Sequence, residues 1–223
     1  TYKRYFTFLA CFALSIIFLG AKSTETAAGH PVEGKLEAFI GEYEIGQLVS
    51  FKGIAEGVEN SNYLIQTNID TYILTLYEKR VDPKNLPFFL GYMDHLASQN
   101  IACPTPISGR DGEALRSLCG RPAAIISFLK GMWPRRIHPE HCAELGEAMA
   151  RLHLAGEAFP LSLPNVLSVA GWRSLFEQCR DQADSVIDGL EDILESEISH
   201  LEAAWPEGLP TGIIHADLFP DNV

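Results

Sequence analysis

The twelve residues GIIHADLFPDNV, 212–223, hold a histidine, two aspartates and an asparagine behind two β-branched residues. The spacing His215-x-Asp217-x-x-x-x-Asn222 suits phosphoryl transfer. A carboxylate orients an attacking hydroxyl and accepts its proton, and an amide oxygen about a turn later holds Mg2+ against phosphate oxygens. Asp217 fits the first role and Asn222 the second. His215 is assigned to packing and hydrogen bonding that fix the loop, because magnesium prefers oxygen ligands to imidazole. Asp217, Asp221 and Asn222 are also turn formers for purely local reasons, so the spacing alone leaves both readings open.

A second candidate is the stretch KGIAEGVENSNYLI, which begins at Lys52. Gly53 and Gly57 allow a loop to bend close to phosphates and turn amide N–H groups toward them, with Ser61 and Asn62 as further donors. It is not G-x-G-x-x-G and carries no Walker lysine, so taken by itself it reads better as an ordinary hairpin with Gly and Asn in its turn. Order along the chain favours phosphate: this loop, then a glycine break at Lys130-Gly131, then the loop at 215–222 is the arrangement a nucleotide clamped between two lobes requires.

Those two loops need elements to hold them. Lys35 to Tyr43 is predicted as a short helix with Leu36, Phe39 and Ile40 on one side. LVSFKGIAEG, NSNYLIQTN and TYILTLYEKR, separated by Gly, Asn and Asp, predict an antiparallel sheet. Asn85 to Gln99 reads as a helix, GRDGEAL as a hairpin turn and PAAIISFL as a further buried strand. Beyond the break the period becomes helical. HPEHCAELGEAMARLHLAG is predicted to bury Cys142, Leu145, Met149 and Leu152. Asp184 to Trp205 repeats the pattern from Ile187, with Glu191, Asp192, Glu195, Glu197 and Glu202 on a solvated face. Ile213 and Ile214 predict a short buried strand before the last loop. His153, near a helix end, is read as structural; Trp133 and Trp172 receive no role.

With 223 residues the chain is long enough for one large domain or two lobes. A net charge of −12 argues against a nucleic-acid partner, although ATP can still be held locally by backbone amides and Mg2+. Cys11, Cys103, Cys119, Cys142 and Cys179 form an odd set without CxxC or zinc-finger spacing, and read as thiols of a reducing, cytoplasmic compartment.

The first stretch conflicts with that compartment. Lys3 and Arg4 precede an apolar run from Tyr5 to Leu19, and Ala21-Lys22-Ser23 resembles a signal-peptidase site, so the segment looks like an export signal or an anchor. With no initiator Met at position 1, residues 1–30 are read as upstream sequence foreign to the folded domain. Membrane contact is expected only if residues 5–20 are a true anchor.

The segments FKGIAEGVENSNYLI, YILTLYEKR, LPFFLGYMDHLA, CPTPI, RPAAIISFLKG, LGEAMARLH and IIHADLFPDNV together resemble the bacterial homoserine kinases that share the aminoglycoside phosphotransferase and choline kinase fold, over about residues 34–223. The resemblance implies an α+β, protein-kinase-like fold, with an antiparallel nucleotide-binding lobe at 32–130 and a mostly helical, incomplete lobe at 131–223. It implies transfer of phosphate from ATP to L-homoserine in threonine biosynthesis, with Asp217 as base and Asn222 as Mg2+ ligand. Two departures stand out. The second metal-binding aspartate of the family is not reached by residue 223, so the chain as it stands is expected to be inactive. Thr75 occupies the place of the strand lysine or arginine that grips phosphate. Lys79 or Arg80 is the candidate replacement, and Asp94 a candidate acidic partner. The alternatives are a choline- or aminoglycoside-type kinase, or a non-catalytic pseudokinase.

Overall fold

A computed structural model describes residues 33–54, 60–77, 82–131, 134, 136–165, 167–216 and 218. Five antiparallel strands form one sheet: β1 (Leu48–Ile54), β2 (Asn60–Thr67), β3 (Thr71–Tyr77), β4 (Arg116–Leu118) and β5 (Arg121–Ser127), in the order β1-β2-β3-β5-β4. Helix α1 (Glu33–Ile40) covers one face and α2 (Leu86–Ser98) the other.

Strand alternation separates the two faces. Leu74, Leu76, Ala123 and Ile125 pack with Leu36, Phe39 and Ile40 of α1. The intervening Ala124 and Ile126 pack with Leu86, Phe89 and Met93 of α2. An eight-residue helix is too short to stand alone in water. Burial of those three α1 side chains, at about 1.5–3 kcal/mol each, holds it in place.

The four strands predicted ahead of Lys130 and the helices predicted at 85–99 and from Pro139 form where periodicity puts them, and local chemistry sets their ends. Asp82 caps a 3-10 turn at Pro83–Asn85 that leads into α2. Asn100, in the left-handed region at φ 59°, stops α2, with Asn100 N–H donating to Ala97 and Ile101 N–H to Leu96. GRDGEAL does turn, with Gly112 N–H donating to Gly109, but it is not the hairpin. The hairpin is the two-residue turn Cys119-Gly120 between β4 and β5, both residues at positive φ as a type I′ turn needs.

Helix α3 (Pro139–Gly156) starts at Pro139 as predicted, but none of its residues is fully buried and Cys142 is exposed, so the expected inward stripe is only half covered. Helix α4 (Val169–Cys179), not predicted, continues into a 3-10 segment, and α5 spans Leu190–Ala204. The predicted helix from Asp184 is thus shortened: Gly189 at φ 79° breaks it, and Ile187 is left exposed. The acidic face of α5 is not simply solvated either. Arg173 donates to Glu195 at 2.6 Å and Glu202 at 2.8 Å, and Arg180 to Glu177, Glu191 and Glu195. Trp172 and Trp205 stack edge to face at 5.5 Å beside this network.

Hydrogen bonds from Arg173, Arg180 and Ser199 hold the Glu195 carboxyl down at about 2, against an ordinary value of 4.5. The folded-state value lies below the unfolded one. The stabilisation is therefore complete above pH 4.5 and is lost as pH falls toward 2. Amide exchange is expected to show α4 and α5 losing protection in that window before the sheet does. Simultaneous loss in both regions would sink the idea that this carboxylate clamps the pair.

Candidate active site

The end of the sheet that opens toward residues 55–59 carries the first group of candidates. Gly53 is not in the loop: it lies inside β1 opposite Tyr63, whose ring sits 3.9 Å from where a Cβ would be. Gly57 lies outside the described residues, as do Lys79 and Arg80. Ser61 and Asn62 are consecutive on β2 and so face opposite sides of the sheet. Ser61 pairs in register with Leu76, on the α1 face, and Asn62 with Thr75, on the α2 face. Of the two proposed donors, Asn62 is the one on the side where the helical segments pack. Its Oδ1 accepts from the Thr75 hydroxyl at 2.9 Å. Asp94 sits on the exposed side of α2, and partial burial raises its carboxyl pKa.

The second group is delivered by α3 and the segment behind it. The end of α3 is tied to α2: the Tyr92 hydroxyl donates to Leu152 O at 3.1 Å and His95 Nε2 to Ala155 O at 2.8 Å. His95, sixty residues before Ala155 in the chain, thus binds a carbonyl at the end of the helix that carries His153. Gly156 makes the close approach possible, since a Cβ there would meet the Tyr92 hydroxyl at 2.9 Å and Ile213 at 3.5 Å. Ile213, with Phe159 and Leu163, packs onto the same apolar cluster as α2. Residues 211–216 are not a strand, because no ladder partner exists for them among the described residues.

This docking places Ile214 and His215 in buried positions and leaves Ala216 in the left-handed region at φ 65°. His215 is partnered within the fold, in keeping with a loop-fixing role. For a residue with a Cβ the left-handed region costs on the order of 1–2 kcal/mol, and such conformations persist where surrounding packing imposes them. Asp217 and Asn222 lie outside the described residues. Among the described residues no group of three or more His, Cys, Asp or Glu can hold a metal ion, and no helix is long and apolar enough to cross a membrane. The apolar run from Tyr5 lies outside that set.

The sequence pattern of the phosphotransferase enzyme family, APH, matches residues 50–223, taking in both candidate loops. The chain belongs to this phosphotransferase family. A homoserine kinase of Paramagnetospirillum magneticum is 66% identical over 191 residues, covering 86% of this chain and 59% of the relative. Another from Nitrobacter hamburgensis is 58% identical over 189 residues, covering 85% of this chain and 58% of the relative. The chain thus spans somewhat under two thirds of the length of the relatives it matches. Among solved structures, the GDP and kanamycin complex of APH(2")-IIia superposes with a TM-score of 0.60 at 17% identity, over 85% of this chain and 66% of that one. That likeness bears out the two-lobed α+β fold expected of the phosphotransferase family.

Proposed function

We propose that the protein containing this chain is a homoserine kinase, transferring the γ-phosphoryl group of ATP to the hydroxyl of L-homoserine to give O-phospho-L-homoserine for threonine biosynthesis. The observation that carries the proposal is 66% identity over 191 residues to a homoserine kinase. Residues 32–130 form the nucleotide-binding lobe and 131–223 the part of the helical lobe that brings the catalytic loop, and the enzyme works in the cytoplasm.

In this reading Asp217 orients the homoserine hydroxyl and accepts its proton as that oxygen attacks the γ-phosphorus; the bond from γ-phosphorus to the β–γ bridging oxygen breaks, and ADP leaves. Gly53 and Gly57 allow the β1–β2 connection to lie close over the phosphates, with Ser61, Asn62 and Lys79 as further candidate contacts. Gly53 acts from within β1, and Ser61 from the far face only through its backbone. His215 and Ala216, pinned by the Ile213 docking, set the direction in which the chain enters Asp217. The oxygen donors of Asp221 and Asn222 suit Mg2+, with Asn222 as the protein ligand. The ion would neutralise charge on the phosphate oxygens.

The test is turnover by the full-length protein against L-homoserine, choline and an aminoglycoside at equal concentration. L-homoserine is expected to give the highest kcat/KM by at least about 100-fold, because a site that pairs the amino and carboxylate groups of its substrate loses heavily when either is missing. A preference for choline or the aminoglycoside would overturn the assignment.

A further inference from the structure

A glycine inside a helix weakens it unless the backbone needs a conformation, or a closeness, that a side chain forbids. Gly156 is the last residue of α3, near the place where a left-handed glycine commonly ends a helix. It does not play that part. Unlike Gly189 and Gly208 it is not at positive φ, and Glu157 after it is right-handed at φ −62°. What requires glycine here is closeness, because a Cβ would meet the Tyr92 hydroxyl at 2.9 Å and Ile213 at 3.5 Å.

The hydroxyl is the other half of this fit. Tyr92 is 1% exposed, and its ring packs with Phe88 of α2 and with Phe159 beyond α3, at centroid distances of 6.3 and 5.1 Å. Phenylalanine would fill that space equally well; only the oxygen reaches the place that a Cβ at 156 would take. The oxygen donates to Leu152 O of α3 at 3.1 Å. His95 repeats the contact one step along, donating at 2.8 Å to Ala155 O. Three residues separate the two donors on α2, and three separate the two acceptors on α3. Equal steps fix the register of the helices, since sliding either one past the other breaks both bonds.

This joint lies between the two groups of candidate residues. On one side α2 packs Leu86, Phe89 and Met93 with Ala124 and Ile126 of β5. On the other, Gly156 stands against Ile213, two residues before the buried His215 and four before Asp217. A shift of about an ångström in such a row of contacts costs a group transfer far more than it costs folding, because attack needs the reacting atoms about 3–3.5 Å apart.

We propose that Tyr92 is a positioning residue for phosphoryl transfer: its hydroxyl, seated in the notch left by Gly156, sets the distance between the nucleotide-binding lobe and residues 213–216, which lead into Asp217. The inference rests on the kinase function proposed above and adds to it a residue outside both candidate loops.

The test reads kcat, KM for ATP and for L-homoserine, and Tm for Tyr92→Phe, Gly156→Ala and the double variant of the full-length protein. Tyr92→Phe removes the oxygen and leaves the ring. Its kcat is expected to fall about three- to tenfold, the range of one lost hydrogen bond, with each KM changed less than about twofold. Gly156→Ala drives a Cβ against the hydroxyl, and its kcat is expected to fall about 10–100-fold with the same small change in KM. The double variant decides where that loss passes. Without the oxygen the next ring atom, Tyr92 Cζ, is 3.7 Å from the Cβ, an ordinary contact. Its kcat is therefore expected to return to within about threefold of Tyr92→Phe alone. An undiminished effect of Gly156→Ala in the Tyr92→Phe background would show that the loss does not pass through the hydroxyl, and would overturn the proposal. So would a loss carried by KM, or a fall in Tm with kcat unchanged, which marks a merely structural joint. Should Gly156→Ala not fold, Tyr92→Phe alone decides, and a kcat within about 1.5-fold of the parent overturns the proposal. A parent that does not phosphorylate L-homoserine would overturn the proposed function itself, and this inference with it.

Discussion

Replacing Asp217 with asparagine in the full-length protein is expected to lower kcat by about 10²–10⁴-fold while changing ATP affinity by less than about twofold. Asparagine keeps the size and one oxygen of the carboxylate but cannot accept the hydroxyl proton, so the loss falls on the transition state and not on nucleotide binding. The surroundings described for the residues just before Asp217 make this a clean substitution. His215 is buried, Ala216 is held at φ 65°, and Ile213 is packed against the α2 cluster. The backbone entering position 217 is therefore set by neighbours that the variant leaves untouched. Single-turnover kinetics with L-homoserine and a parallel ATP titration measure the two quantities separately. Undiminished turnover would remove Asp217 from the mechanism, whereas equal losses of ATP affinity and kcat/KM would assign it to nucleotide binding.

Gly109→Ala is expected to cost about 2–4 kcal/mol of stability, or a fall in Tm of about 5–15 °C. A Cβ at position 109 would lie 2.1 Å from Arg116 Nη2 and 2.6 Å from its Cζ, far inside contact distance. Arg116 cannot yield cheaply. Its guanidinium donates to Glu42 and Asp111, and lies 5.3 Å from the centroid of the buried Tyr43 ring. Burial raises the Tyr43 hydroxyl pKa well above its ordinary value, with Arg116 opposing the rise. Displacing Arg116 leaves two carboxylates without their cation and loosens α1, which is too short to persist unaided. A double-mutant cycle with Arg116→Ala isolates the cause: once the guanidinium is absent, adding Gly109→Ala should cost less than about 1 kcal/mol. Full additivity of the two losses would show that the glycine is needed for another reason. Tyr43 also bridges to Gly109, so the comparison needs far-UV dichroism to confirm that the sheet remains.

Much of the architecture was legible because its signals are local. Period-two runs separated by Asn, Asp and Gly marked β1, β2, β3 and β5, and spacings of three and four marked α1, α2 and α3. The misses had weak local signals. β4 is three residues, Arg116–Leu118, with no alternation to read, and its turn is made by Cys119-Gly120 where no Asn-Gly advertises it. The apolar repeat running from Ile187 crosses Gly189, whose left-handed backbone begins α5 afresh. The acidic residues of α5 appeared solvated because the residues that engage them lie earlier in the chain, Arg173 on α4 and Arg180 at the start of the 3-10 segment that follows it.

The sequence by itself determined the chemistry on offer: His215, Asp217 and Asn222 at a spacing suited to phosphoryl transfer, a glycine-bearing turn between two strands, and an order of segments that matches a phosphotransferase of known family. These are properties of residue type and separation along the chain, which need no coordinates. Tertiary structure decided which side chains share a space. Only pairing in register puts Thr75, thirteen residues beyond Asn62, opposite it and commits its one proton to the amide. Only the packing of α2 against α3 brings His95 to the carbonyl of Ala155 and lets Gly156 admit Ile213, two residues before His215. Strand alternation sends Ser61 and Asn62 to opposite faces, although in sequence they look like equivalent donors. The physical reason is that intrinsic propensity acts within a turn or two of chain, whereas burial and hydrogen-bond satisfaction act between segments that meet only after the sheet has closed.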